Sequence, residues 1–410
     1  MALRKDNKGR VLRSGEYQRT CDSKYVYGYT DFLGKRKYIY SKDLKELRER
    51  EAKLVKNQMD GIDIYVSGKA DINYLFDRYI SIKTNLRSNT YANYTYMYNH
   101  FVRDTFGKKI VGSVKYSEVL QFYLYLLNEK NLAIGTVDTI HRLLYPSFEL
   151  AVRDDIIRKN PCQGIMGELK RQTGKKSGVR EALTIEQQRA FLNYVKDHKV
   201  FGHWNAFMTF LFGTGCRIGE AIAVRWEDVN FKDRYIDINH DITYSPRADK
   251  DNKSELRVSD VKTNAGHRQI PMADRVYEIL SVLYDIQSRY GFSTFELDGY
   301  KNFVFTNRLG NVHNPSTVNR AIERIRTSYN AEEVVNAAKE HREPVIIPHF
   351  SCHHIRHTFC TRLCETESNL NVIQDIMGHA DIQTTMNIYA DATIQAKNKA
   401  MRDLSDRALF

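Results

Sequence analysis

Few cysteines and no long apolar run set the first limits on this chain. Its six cysteines, at 21, 162, 216, 352, 360 and 364, are too sparse in 410 residues for a disulfide scaffold, so reduced thiols are expected. No stretch approaches the roughly 18 consecutive apolar residues of a membrane span, and the opening MALRKDNKGR lacks the apolar segment of a signal peptide. The expectation is a soluble, cytoplasmic protein with no membrane contact. Internal repeats and low-complexity tracts are absent. A phosphate-cradling G-x-x-x-x-G-K-[ST] run is also missing, because the Gly174-Lys175 pair has Leu169 where the first glycine would stand.

What the chain does have is positive charge. Lys and Arg number 62 against 50 Asp and Glu, a net +12. Residues 1–69 hold 17 Lys/Arg against 10 Asp/Glu, so the excess is concentrated at the N-terminal end. That sign and placement suit a polyphosphate partner. With 42% hydrophobic residues the chain can bury real cores, and 410 residues divide most naturally into two or three domains.

The organisation read along the chain is multidomain α+β. In residues 1–69, Tyr25, Tyr27 and Tyr29 alternate at strand period, Asp31 to Gly34 supplies a turn, and Tyr38 and Tyr40 alternate again. A strand near Glu16 to Arg19 makes three. A helix follows Asp43, with Asp43 and Glu46 placed as a capping box before Leu47, Leu54 and Val55. The result is a small three-stranded β-sheet on one helix. Arg19, Lys24, Lys35, Arg36 and Lys37 lie among its aromatics, a composition suited to a sheet laid in a DNA groove.

Residues 70–161 turn helical in period and are expected to form an all-α domain of four short helices, punctuated by Gly107 and Gly135, the last ended by Asn160-Pro161. Residues 162–180, rich in Gly, Lys and Arg, read as an interdomain linker. Residues 181–410 open with a Thr184/Gln187 capping box and read as a mainly α domain with a small β-sheet, its strands near Tyr235 to Asn239 and Leu256 to Ile270.

Four pieces of that last domain stand out: GTGCRIGEAIAVRWEDV from Gly213, SDVKTNAGHRQIPM from Ser259, HHIRHTF from His353 and MGHADIQTTMNIYA from Met377. In this order they resemble the tyrosine recombinase (lambda-type integrase) family. By that resemblance Arg217 is the first catalytic arginine, Glu220 its supporting acidic companion, and Lys262 the hairpin lysine. His353 and Arg356 form the His-x-x-Arg pair, His379 is the later histidine and Tyr389 the nucleophile. Residues 70–161 resemble the core-binding domain of the same family. The N-terminal unit resembles the arm-binding domains of conjugative-transposon integrases.

The resemblance implies a DNA strand-transferase that cuts and rejoins attachment sites of a mobile element, giving integration and excision without a cofactor. It also implies double-stranded DNA at core and arm-type sites as partner, a homotetramer on DNA, help from an excisionase and a host DNA-bending protein, and work on nucleoid DNA in the bacterial cytoplasm. The chemistry fits these residue types. Two guanidiniums meet the charge that develops on a phosphodiester under attack. A phenol with a pKa near 10 needs a base, the part of His353, and the departing 5′ oxygen needs a proton, the part of Lys262. His379 donates to a phosphate oxygen.

Two alternatives keep the fold and change the function: a non-catalytic DNA-binding regulator, against which the complete residue set argues, and a type IB topoisomerase-like enzyme that relaxes DNA lacking any attachment site. A third reading concerns metal. His353, His357, Cys360 and Cys364 lie on one helix face and imitate a zinc ligand list. A straight helix advances about 16 Å over that span, too far for one tetrahedral ion, so no metal is expected and the cysteines read as small packing residues.

Overall fold

The structure is a computed structural model, and it describes residues 4–30, 36–59, 69–86, 88–174, 181–245, 255–260 and 266–390. The chain divides into two compact units, Met1–Ser177 and Gly178–Phe410.

The first unit opens with an antiparallel sheet in the order β1 (Glu16–Gln18), β2 (Tyr25–Thr30), β3 (Arg36–Ser41). Its register assigns the faces, because directly paired residues share a side. Tyr25↔Ser41, Tyr27↔Ile39 and Tyr29↔Lys37 lie on one side, and Val26↔Tyr40, Gly28↔Tyr38 and Thr30↔Arg36 on the other. Helix α1 (Leu44–Met59) covers the first side, packing Leu44 and Leu47 with Leu12, Tyr25, Tyr27 and Ile39.

The Asp43 carboxylate caps α1, accepting from the N–H groups of Lys45 (2.7 Å) and Glu46 (3.2 Å). Glu46 does not complete the expected box: its carboxylate accepts from the Ser41 hydroxyl, and the same hydroxyl receives the Asp43 N–H. The helix start is thereby tied to the end of β3. The expected turn at Asp31 to Gly34 lies outside the described residues.

A separate helical core follows, built from α2 (Ile72–Ile82), α3 (Ser88–Tyr98), α4 (Tyr116–Asn128), α5 (Ile134–Arg153) and α6 (Ile165–Thr173). Asp71 caps α2 through the Tyr74 N–H, and Phe76 stacks on Tyr98 in the interior. Two expectations are corrected here. Helix α5 ends at Arg153, where the chain turns through Asp155 at φ +53°, well before Asn160-Pro161. Asn160 instead pins the next turn, accepting the Cys162 N–H (2.9 Å) and donating to the Tyr145 carbonyl (3.0 Å). The stretch read as a linker is structured over its first part, since Cys162, Ile165 and Leu169 are fully buried in the helical core. Residues 175–180 lie outside the described part.

The second unit begins with α7 (Ile185–Asp197), whose Thr184/Gln187 capping box is present in both directions. It packs on α8 (Asn205–Thr214), an almost wholly buried helix carrying Phe207, Met208, Phe210, Leu211 and Phe212. Short α9 (Ile218–Ala223) follows. A sheet in the order β4-β5-β8 comprises β4 (Val229–Asn230), β5 (Tyr235–Ile238) and β8 (Arg268–Pro271), and a separate hairpin pairs β6 (His240–Ser245) with β7 (Glu255–Asp260). The strand expected across Leu256 to Ile270 is therefore two strands in two sheets.

Helices α10 (Asp274–Tyr290), α11 (Pro315–Lys339), α12 (Cys352–Thr366) and α13 (Leu370–Met377) complete the packing, with a last helix over 382–390. Among the described residues no helix is long and apolar enough to cross a membrane.

Candidate active site

The site is assembled around the C-terminal end of α13. The last carbonyls of a helix have no partner within it and carry the negative end of its dipole, so they attract cationic donors. Here three consecutive carbonyls receive three arginines. Arg268 donates through Nε to Ile376 O (2.9 Å), Arg356 donates to Met377 O, and Arg217 donates to Gly378 O (2.9 Å). Gly378 ends the helix in the left-handed region at φ +62°, which frees these carbonyls to fan outward.

Each arginine arrives from a different element. Arg217 is the N-cap of α9, in extended backbone after the left-handed Gly215 at φ +60°. Both its ends are fixed by Glu220: its N–H donates to Oε2 (2.9 Å) and its guanidinium to Oε1 (2.6 Å). Arg356 lies on α12 and is buried, and it also donates to the Gly215 carbonyl (2.9 Å). Arg268 begins β8 and reaches Glu220 Oε2 at 2.8 Å, with both side chains buried.

The electrostatics follow from this packing. Burial alone would raise the Glu220 carboxyl, but hydrogen bonds and charge from Arg268 and Arg217 win and hold it down to about 2. Burial and the neighbouring Arg217 push Arg356 down to about 10, still cationic at neutral pH. His379 follows directly on Gly378 and is buried. Desolvation, together with Arg356, Arg217 and Arg268, lowers it to about 4 against a weaker pull from Glu220, so its ring is neutral. Its Nδ1 lies 2.9 Å from the hydroxyl of fully buried Thr385. When that hydroxyl donates, the proton of the neutral ring sits on Nε2, leaving a hydrogen-bond donor.

His353 lies in the first turn of α12, three residues before Arg356 and so on the same helix face, and it is exposed. Tyr389 lies on the helix over 382–390, half-buried against Cys360, Cys364, Ile373 and Met377. Cys360 and Cys364 thus serve as packing residues beneath that helix, and among the described residues no cluster of metal-ligating side chains forms. Thr385 and Tyr389 share a face of the helix at i,i+4. His354, given no role by sequence, caps α12 through Nδ1, which accepts from the Ser351 N–H at 3.2 Å.

The geometry brings together Arg217, Glu220, Arg356 and His379. Lys262 lies outside the described residues. Arg268 was missed, although a signal was available. It stands two residues before buried Ile270 in the same strand, so its side chain shares the inward phase. A charge in that phase requires a partner.

Of the basic residues assigned to DNA contact in the N-terminal sheet, Arg36 projects from the side opposite α1, with Tyr38 and Tyr40, and Arg19 lies over the Tyr40 ring at 5.8 Å. Lys37 belongs to the side that α1 covers. Lys24 sits beside Asp22 at 3.3 Å, and Lys35 lies outside the described residues.

The chain is similar to known proteins over most of its length. Residues 181–396 match the Phage integrase family, and residues 1–58 match the DNA binding domain of Tn916 integrase. The transposase from transposon Tn1545 of Streptococcus pneumoniae and that from Tn916 of Enterococcus faecalis are each 30% identical, with 98% of this chain and 96% of the relative aligned. Among solved structures, the Tn1549 transposon integrase in complex with transposon right end DNA is similar with a TM-score of 0.69 at 28% identity, covering 82% of this chain and 99% of that one.

Proposed function

The chain belongs to the phage integrase family of tyrosine recombinases, enzymes that transfer DNA strands, and on that premise we propose that Tyr389 attacks a DNA phosphodiester at the attachment sites of a conjugative transposon. The observation that carries this reading is the convergence of Arg217, Arg356 and neutral His379 at the end of α13.

Each guanidinium has five N–H donors. Arg217 and Arg356 each hold protein acceptors with two of their nitrogens, so donors remain on both for the non-bridging oxygens of the scissile phosphate. Because the carbonyls already fix these cations, little reorganisation is needed as charge develops. His379 adds a neutral donor to the same phosphate.

Tyr389 Oη forms a bond to phosphorus as its proton passes to His353. The bond from phosphorus to the 5′ oxygen breaks, and that oxygen leaves with a proton from Lys262. The product is a 3′-phosphotyrosyl link with a free 5′ hydroxyl. The bond energy is retained, and a 5′ hydroxyl of another strand reverses the step, with no nucleoside triphosphate required.

The N-terminal sheet binds arm-type sites through its open side, where Arg19 and Arg36 lie among tyrosines, and the helical domain grips the core site. Four protomers act together on paired core sites. An excisionase and a host DNA-bending protein set the direction between integration and excision, on nucleoid DNA in the cytoplasm.

The test is covalent trapping on a nicked suicide duplex carrying the element's core site. A denaturant-resistant protein–DNA adduct is expected from the parent protein and none from Tyr389→Phe. An adduct that persists in Tyr389→Phe overturns the assignment.

A further inference from the structure

Outside the residues assigned to the phosphate, Arg268 is a tightly held feature of the second unit. Its guanidinium spends its three nitrogens on three separate segments: Nε on Ile376 O at the end of α13 (2.9 Å), Nη1 on Gly266 O in the turn before β8 (3.2 Å), and Nη2 on Glu220 Oε2 in α9 (2.8 Å). Its side chain is only 5% exposed. It therefore faces protein, with no open edge of the kind Arg217 offers at 37% exposure.

We propose that Arg268 is a positioning residue for strand transfer: it clamps Glu220 and the end of α13 so that Arg217 and Arg356 keep a fixed aim at the phosphate. This rests on the function proposed above and extends it to a residue that does not touch DNA.

Three lines of argument meet. First, Glu220 is shared: one oxygen takes the Arg217 guanidinium, while the other takes the Arg217 N–H and Arg268. Removing Arg268 leaves Arg217 alone to hold a buried carboxylate, and the side chain that should reach the phosphate is drawn toward Glu220. Second, Arg268 occupies the carbonyl adjacent to the ones that Arg356 and Arg217 use, so it sets the pitch of that helix end. Third, its Nη1 bond to the Gly266 carbonyl ties the start of β8 to the same guanidinium that holds Glu220 and the end of α13. A lysine cannot copy this, because one ammonium does not reproduce a planar fork that reaches three acceptors at fixed angles.

The charged and titratable groups facing Glu220 among the described residues are Arg217 on α9, Arg268 on β8, Arg356 on α12, His379 after α13, and the Cys216 thiol before α9. Cations dominate, and Arg268 is the first of them. Its loss lets the Glu220 carboxyl rise, so cleavage becomes sensitive to acid at a higher pH than in the parent.

The experiment compares the full-length parent with Arg268→Gln and Arg268→Lys on the nicked core-site duplex. It measures single-turnover cleavage across pH, DNA affinity by mobility shift, and folding by tryptophan fluorescence melts. Arg268→Gln is expected to slow cleavage on the order of 100-fold, the scale of a sub-ångström to one-ångström misplacement, with its acid limb moved to higher pH and DNA affinity within about twofold of the parent. Arg268→Lys keeps the charge, so its acid limb stays near the parental position while its rate falls about tenfold.

Arg268→Lys protects the test should the glutamine variant fold poorly: a folded lysine variant that cleaves at the parental rate overturns the proposal. Parental cleavage and pH profile in Arg268→Gln do the same, as do equal losses of affinity and rate. If the parent itself forms no adduct, the failure lies with the proposed function. If the parent forms one and the Arg268 variants match it, only the clamp is refuted.

Discussion

Glu220→Gln isolates the charge at the centre of the arginine cluster while leaving its shape. The carboxyl lies at about 2 in the folded protein against an ordinary 4.5, and the side chain is buried to 3% exposure, so solvent screens it little. A difference of that size corresponds to roughly 3 kcal/mol of folding stability, within the range of about 3–5 kcal/mol for breaking a buried ion pair. For the second unit this translates to a melting shift of roughly 6 to 12 °C at neutral pH.

The sign fixes the pH dependence. The folded pKa is depressed, so the stabilisation is complete above about pH 4.5 and is lost as pH falls through about 2. The gap between parent and Glu220→Gln should therefore close in acid. Both tryptophans, Trp204 and Trp226, lie in the second unit, so their fluorescence follows its unfolding without interference from the first. A shift below about 2 °C at pH 7, or a gap that stays constant down to pH 2.5, refutes the reasoning.

Other consequences are open to measurement. His379, lowered to about 4, should keep a neutral ring throughout pH 5.5 to 8, and an imidazole NMR titration with a midpoint near 6.5 would contradict that. Thr385→Val removes the Nδ1 partner of His379, a hydrogen bond worth about 1 kcal/mol, and should slow single-turnover cleavage roughly fivefold, with Thr385→Ser restoring it. Gly215→Ala forces a side chain into φ +60° with its Cβ 2.3 Å from the Phe359 ring, and should cost at least about 2 kcal/mol in denaturant unfolding. Arg36→Ala should weaken binding to arm-site duplex and reduce the salt dependence by about one ion, and Lys37→Ala should do less, since Lys37 lies on the side that α1 covers.

Much of the site was legible because its chemistry is carried in short, ordered motifs. Of the residues those motifs single out, Arg217, Glu220, Arg356 and His379 are packed into one place by the fold. Arg268 was not legible as a partner, because two of its three acceptors lie 48 and 108 positions away in the chain and only the phase of Ile270 hints at its inward aim. Helix α6 escaped notice because Ile165 and Leu169 supply a single i,i+4 pair among lysines and arginines, too few turns to register as a period. The early end of α5 came from Asp155 adopting a left-handed conformation, which nothing in its neighbours announces. In the N-terminal sheet, composition gathered the basic residues, but only strand register could sort them onto two sides.

The strip from Ile376 to Tyr389 is also a fixed length of 14 residues. Its first three carbonyls anchor the cations, its fourth residue is His379, and its far end bears the tyrosine, all on one uninterrupted backbone tied back by Thr385. The spacing along the chain between Tyr389 and the arginine-bound carbonyls is thus set by a count of residues. Adding or removing a single residue rotates the last helix by about 100° and carries Tyr389 off its face. The segment behaves as a gauge, to be exchanged between related chains whole or not at all.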